Sequence, residues 1–285
     1  MARIASKKLN RKIGGDIAIF ILLGVVGAFM LLPFVYAILQ SFKPMEEIFI
    51  FPPRFFVNNP TTENFYQLTQ LAANSWVPFT RYIFNSLLVS SVATGAHVII
   101  SSMAAYPLAK AKFPGSSTFF SIVVLSLLFT TEVTALPLYL VMSGLHMIDT
   151  YWALILPAIG SSLGLFLMKQ FITVIPDSMI EAVKVDGGGV FRTYWSIVMP
   201  NVKPAWMTCI IFSFQSIWNY EGTQFIYDES LKVLPTMFRQ ISEGGIARVG
   251  VGAAAAVLLM IPPILIFTFS QSQVIETMAH SGLKE

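Results

Sequence analysis

Charge is scarce in this chain. Its 285 residues include 18 Lys or Arg and 15 Asp or Glu, 12% in all. A soluble domain carries about 25% charged residues, so an ordinary water-exposed globule is excluded. Cysteine is nearly absent as well: Cys209 stands alone, which excludes a disulfide framework within one chain. His97 and His146 are isolated, no Cys/His/Asp/Glu group has metal-ligand spacing, and no paired catalytic constellation is present. A Gly-x4-Gly-Lys-Ser/Thr loop, which would cradle nucleotide phosphates, is missing. The net charge of +3 is too small for a nucleic-acid surface, and no basic run follows a recognition motif. Internal repeats and low-complexity stretches are lacking too.

What is abundant is apolar. Hydrophobic residues make up 55% of the chain, and the mean hydropathy is +0.70. A bilayer core of about 30 Å needs roughly 20 residues of helix. Six windows satisfy that length: residues 16–40, 82–109, 117–142, 152–175, 204–226 and 249–272. The first is too long for a secretory signal, and no small-residue cleavage site follows it. The reading is one transmembrane domain over residues 1–285, an all-α membrane protein of six spans.

Basic residues orient it. With the N-terminus in the cytoplasm, Arg3, Lys7, Lys8, Arg11, Lys12, Lys110, Lys112, Lys169, Lys184, Arg192, Lys203 and Lys284 lie inside or at the inner boundary. Lys43, Arg54, Arg81, Lys232, Arg239 and Arg248 lie outside. Both termini and the polar stretch 176–203 are then cytoplasmic.

Pro33, Pro107, Pro137, Pro157 and the pair Pro262-Pro263 fall inside spans. Each removes a backbone donor and bends its helix, so a curved bundle is expected. The external segment from Ser41 to Thr80 is rich in Phe, with Tyr66 and Trp76, and suits either the headgroup boundary or an external protein. Pro60-Thr61-Thr62-Glu63 can start a short helix there with Thr61 as N-cap. The second external stretch, Tyr227 to Arg248, is more polar, with a turn at Glu243-Gly244-Gly245.

The polar island from Glu181 to Pro200 reads as a short helix, a glycine turn and a second short helix. Pro176 breaks the preceding span, and Ser178-Met179-Ile180-Glu181 fits a capping box. Met179, Ile180, Val183 and Ala182 form an apolar edge. Gly187-Gly188-Gly189 permits positive φ or close approach, and Pro200 ends the second helix before Pro204 opens the fifth span.

This island resembles the EAA loop of ABC-importer permeases. Glu181-Ala182, Asp186-Gly187, Ile197 and Pro200 occupy the motif positions, with Val183 and Met199 as mild apolar replacements. Ala105-Tyr106-Pro107-Leu108-Ala109-Lys110 before Phe113-Pro114-Gly115, then Glu132-Val133-Thr134, Pro137-Leu138-Tyr139-Leu140, Asp149-Thr150-Tyr151-Trp152, Leu156-Pro157, Trp218-Asn219 and Pro262-Pro263, extend the likeness to carbohydrate-importer permeases. The subgroup it is similar to is the second permease of maltose-type sugar transporters. The tail from Glu276 to Glu285 follows that pattern only loosely. The resemblance implies a type I importer permease fold with a cytoplasmic coupling helix. It further implies a homologous second permease, two cytoplasmic ATPase subunits carrying ATP and Mg, and an extracytoplasmic solute-binding protein. No cofactor is expected on this chain, and no catalysis; ATP hydrolysis would belong to a partner. Ser178 joins the motif residues as part of the coupling loop.

Polar residues at membrane depth mark candidate transport paths. These are Glu132 and Glu221, together with Asn85, Gln215, Trp218, Asn219 and Tyr220. Sugar import is the main expectation. A glycerol-phosphate-type solute is the alternative within importers, and an ion-coupled secondary transporter using Glu132 is the alternative of another class.

Overall fold

The structure, a computed structural model, describes residues 13–73, 76–111 and 113–281. Arg3, Lys7, Lys8, Arg11, Lys12, Lys112 and Lys284 lie outside the described residues, as do Gly282 to Glu285 of the tail. Among the described residues the secondary structure is helical throughout. In chain order the helices are α1 (Ile13–Ser41), α2 (Met45–Ile48), α3 (Glu63–Ala73), α4 (Phe79–Lys110), α5 (Ser116–Ser126), α6 (Thr131–Gly144), α7 (Trp152–Ile159), α8 (Ser162–Val174), α9 (Asp177–Val185), α10 (Val190–Thr193), α11 (Met199–Asn201), α12 (Lys203–Trp218), α13 (Leu234–Ser242) and α14 (Val249–Ser281). A π turn, Tyr194–Val198, joins α10 to α11.

Four helical stretches are individually long and apolar enough to cross a bilayer: Gly14–Ser41, Phe79–Lys110, Trp152–Val174 and Val249–Gln271. The windows at 117–142 and 204–226 are not straight rods. The first is α5 and α6, bent by 111°. The second enters through a helical stretch, Val190–Asn201, bent by 77° against α12. Six crossings result only if each bent pair is one span.

The sharpest bend contains no proline. It falls at Leu127-Leu128-Phe129-Thr130, where the helix tightens into short-range bonds such as Leu127 N to Val124 O at 3.2 Å. The second bend, at Val202, lies between Pro200 and Pro204. Pro33, Pro107, Pro137, Pro157 and Pro262-Pro263 lie within helices and not at these two bends. The fifth helix also stops early, at Trp218, followed by a turn with Gly222 at φ +64°.

α4 is the axis of the packing. Three buried clusters line it from end to end. Tyr82 joins Leu68, Trp218, Met237 and Phe238. Val89 and Ala93 meet Leu154, Ile155 and Phe225. Val98 and Ala105 meet Met168, Ile172, Tyr194 and Val198. Small residues on α4, Ala93 and Ala105 among them, are wholly buried and let neighbouring backbones approach closely.

α3 begins at Glu63, so Thr62 and not Thr61 holds the N-cap position, its carbonyl accepting from Tyr66 N at 3.1 Å. Thr61 Oγ1, one residue earlier, accepts from the Glu63 amide at 3.1 Å. Phe51, Phe56 and Trp76, between α1 and α4, stay exposed.

Candidate functional site

The segment 176–203 folds as helix, turn, helix. Its first helix starts at Asp177, two residues earlier than the Ser178 capping box allows. Pro176 is the N-cap residue, without a side-chain cap bond, and Ser178 lies inside the first turn. Proline is preset for this entry, so no Ser178 cap is needed. Asp177, in that first turn, pairs with Lys110 Nζ at 2.8 Å, a placement the helix dipole also favours. The same ammonium donates to the carbonyls of Thr173 and Ile175.

The helix ends in a Schellman motif. Gly188 N donates to Val183 O at 2.8 Å and Gly187 N to Lys184 O at 3.1 Å. Asp186 is the C-cap, and Gly187 takes φ +77°. A Cβ at Gly187 would meet nothing within 4 Å, so conformation and not space demands glycine there. At Gly188 the limit is space: a Cβ would sit 2.4 Å from Val183 Cγ1.

The apolar edge is divided. Ile180 turns inward and is buried, and Val183 is half-buried, whereas Met179, Ala182 and Glu181 are exposed. Val185, Val190 and Phe191 extend the exposed side, Val185 at 87%. Beneath them, Ile180, Lys184, Val190, Phe191 and Tyr194 face Met103, Tyr106 and Pro107 across a groove of about 410 Å³.

The second helix does not stop at Pro200. It runs to Asn201, because the preceding π turn, closed by Met199 N to Tyr194 O, reroutes the ladder just ahead of a residue with no N–H. Ile197 is half-buried, Pro200 exposed. Tyr194 anchors the segment to α4 through a 2.6 Å hydrogen bond with Ser102.

The seven polar candidates do not form one cluster. Gln215 and Asn219 share a groove of about 460 Å³ with Ile211, Leu259, Met260 and Pro263. Asn219 Nδ2 donates to the Gln215 main-chain carbonyl at 2.8 Å. Trp218 does not line that groove: it is buried, stacks on Phe214, and donates Nε1–H to Leu259 O at 3.0 Å. Tyr220 is half-buried and accepts from Gln224. Glu132 is exposed on the first turn of α6, beside the 111° bend.

Asn85 is fully buried and every polar atom of its side chain is engaged. Nδ2 donates to Ser230 O and Lys232 O at 2.9 and 2.8 Å, and Oδ1 accepts from Tyr151 at 2.6 Å. It fastens the turn Ser230–Lys232 onto the bundle. Nearby, Glu229 accepts from Tyr82 at 2.8 Å and pairs with Lys232 at 2.5 Å. Burial opposes ionisation of Glu229, but the Lys232 and Tyr82 hydrogen bonds outweigh it and hold the carboxyl below its usual range. The Ser230 amide depresses Asp228 likewise.

Glu221 pairs with Arg239, which also bonds Glu243 at 2.7 Å. These carboxylates raise the Arg239 pKa further. The sequence placed Arg239 only among the outer basic residues and did not foresee its helix, α13, although Leu234, Met237, Phe238 and Ile241 carry the spacing of one buried face. Among the described residues no group of three His, Cys, Asp or Glu is placed to hold a metal.

Comparison with known proteins agrees with this architecture. The chain is 32% identical over 234 residues to Protein LplC of Bacillus subtilis (strain 168), covering 80% of this chain and 75% of that protein. It is 30% identical over 277 residues to the polygalacturonan/rhamnogalacturonan transport system permease protein YtcP of the same organism, covering 90% and 93%. It is 30% identical over 206 residues to the sn-glycerol-3-phosphate transport system permease protein UgpE of Yersinia enterocolitica, covering 70% and 72%. In fold it is similar to a chain of a bacterial ABC transporter involved in import of the acidic polysaccharide alginate. The TM-score is 0.75 at 19% identity, over 90% of this chain and 95% of that one. Residues 97–279 match the family described as binding-protein-dependent transport system inner membrane component. The chain is a multi-pass membrane protein belonging to that family.

Proposed function

We propose that this chain is one of two homologous membrane subunits of an ATP-driven carbohydrate importer. It forms half of the translocation path and docks a separate ATPase through residues 176–203. The observation that carries the docking is the Schellman-capped helix α9, which displays Met179 and Val185 beside exposed Val190 and Phe191. An exposed apolar patch of this kind marks an interaction site. ATP and Mg belong to the ATPase, two copies of which serve the pair, and both termini lie on its side of the membrane. An external solute-binding protein delivers cargo; an alginate transporter of similar fold has been solved with an alginate pentasaccharide-bound periplasmic protein, at TM-score 0.61.

Carbohydrate is favoured over a phosphorylated solute by charge. Among the described residues, Lys169 is the one basic group well inside a membrane helix, and its ammonium rests over the Phe120 ring at 4.1 Å. An anionic cargo calls for basic lining, although the likeness to UgpE keeps a glycerol-phosphate-type solute as the second reading. An ion-coupled carrier would show uptake that follows ion gradients and ignores ATP.

Gly187→Asp tests the docking. It forces a Cβ-bearing residue into φ +77°, costing about 1–2 kcal/mol, and places charge at the contact. The variant is expected to insert normally but to lose ATPase co-purification or coupled uptake. Gly189→Ala, at φ −75° with open space around it, is expected to retain both. Full binding and coupled uptake in Gly187→Asp would refute the docking model.

A further inference from the structure

The span Trp152–Val174 is continuous in length but not in hydrogen bonding. α7 stops at Ile159 and α8 begins at Ser162. At the break, Gly160 N to Leu156 O is 3.3 Å and Ser161 N to Ala158 O is 3.4 Å, both stretched. An uninterrupted helix would offer the Ile159 carbonyl the amide four residues on, from Leu163. It is met instead by His97 Nδ1 at 3.0 Å, from the middle of α4. A carbonyl can only accept, so Nδ1 carries the proton. His97 is 1% exposed, and the Nε2 edge of its ring fills space a side chain on α8 would need: a Cβ on Gly164 would lie 2.1 Å from it. In a bilayer a freed carbonyl must find a donor within the protein, and this imidazole supplies it.

The two halves of the span have different attachments. α7 is fixed at the outer turns, where Tyr151 bonds Asn85 and Gly222 lies close over Leu154. α8 leads directly into α9. Between α8 and α12, beside the break, lies a cavity of about 130 Å³ lined by His97, Ser161, Gly164, Cys209 and Ser213. It leaves open space beside Ser161 and Gly164 at the start of α8.

We infer that Gly160-Ser161 is a hinge in this span and that His97 is the positioning residue that latches it, through its hydrogen bond to the Ile159 carbonyl. Displacement of the segment 176–203 pivots α8 at that point. The inference rests on the docking reading above.

Cys209, the chain's single cysteine and part of the cavity wall, is a built-in reporter. In the complete reconstituted transporter, its alkylation by N-ethylmaleimide, followed by peptide mass spectrometry, should change between nucleotide-free and vanadate-trapped states. His97→Leu should raise nucleotide-free labelling about tenfold, the effect of losing one buried hydrogen bond, and lower transport per ATP hydrolysed. His97→Asn, which keeps a donor near Nδ1, should restore both. Wild-type labelling and coupling in an assembled His97→Leu transporter would overturn the latch. Should that variant not assemble, equal Cys209 labelling of the wild type in the two states overturns the hinge. Loss of ATPase co-purification is a separate readout and would instead bear on the docking reading.

Discussion

The indole of Trp218 donates to the carbonyl of Leu259, 3.0 Å away on α14. Four residues beyond Leu259 stands Pro263, which has no N–H to complete that turn of helix. The tryptophan therefore supplies from α12 the donor that Pro263 lacks, and the carbonyl freed by that proline is met by a neighbouring helix.

Trp218→Phe keeps the stacking on Phe214 but removes this donor. A buried carbonyl left unmet costs about 1–3 kcal/mol. A lower midpoint of thermal unfolding in detergent is expected, with membrane insertion unchanged. An unshifted midpoint would mean that water or another group serves Leu259.

Asn85 and Asn219 were both candidates for the transport path, and their surroundings separate them. Asn85→Leu strips partners from Ser230, Lys232 and Tyr151 at once. The expected loss is about 1–3 kcal/mol of stability. Asn219→Ala, on an exposed helix end, should change stability by less than about 0.5 kcal/mol while lowering uptake, because it lines the α12–α14 groove. Paired unfolding and uptake assays decide; normal uptake in Asn219→Ala removes that groove from the path.

The turn that carries Glu229 should also be acid-sensitive. Glu229 is held below its usual range in the folded chain. Its contribution to stability is therefore complete above the unfolded glutamate value, about 4.3, and is lost as pH falls through the lower folded value. Thermal midpoints measured downward from pH 5 should fall less steeply in Glu229→Gln than in the wild type. Parallel slopes would show that other carboxylates control the acid response.

Hydropathy made the apolar windows legible because bilayer thickness dictates helix length, and that constraint is written in every residue of a span. The bends were not legible. Leu127-Leu128-Phe129-Thr130 carries neither glycine nor proline, so nothing local announces a 111° redirection. The glycine turn at Gly187 was readable, since left-handed backbone leaves a local signature. The role of Ser178 was misread because the capping pattern ignores that Pro176 already sets the entry angle. Asn85 showed the general difficulty: a polar residue in a span looks the same in sequence whether it meets a solute or two main-chain carbonyls. His97 looked merely isolated, since its partner is a carbonyl and carbonyls have no residue type.

α1 packs chiefly on α14 and contributes none of its apolar window to the buried core. The family match likewise begins only at residue 97, well downstream of it. Architecturally the first span is an appendage to a bundle organised around α4. Changes in its sequence are therefore constrained mainly by the lipid and by one neighbour. Substitutions on its exposed face therefore leave the buried core around α4 unaltered.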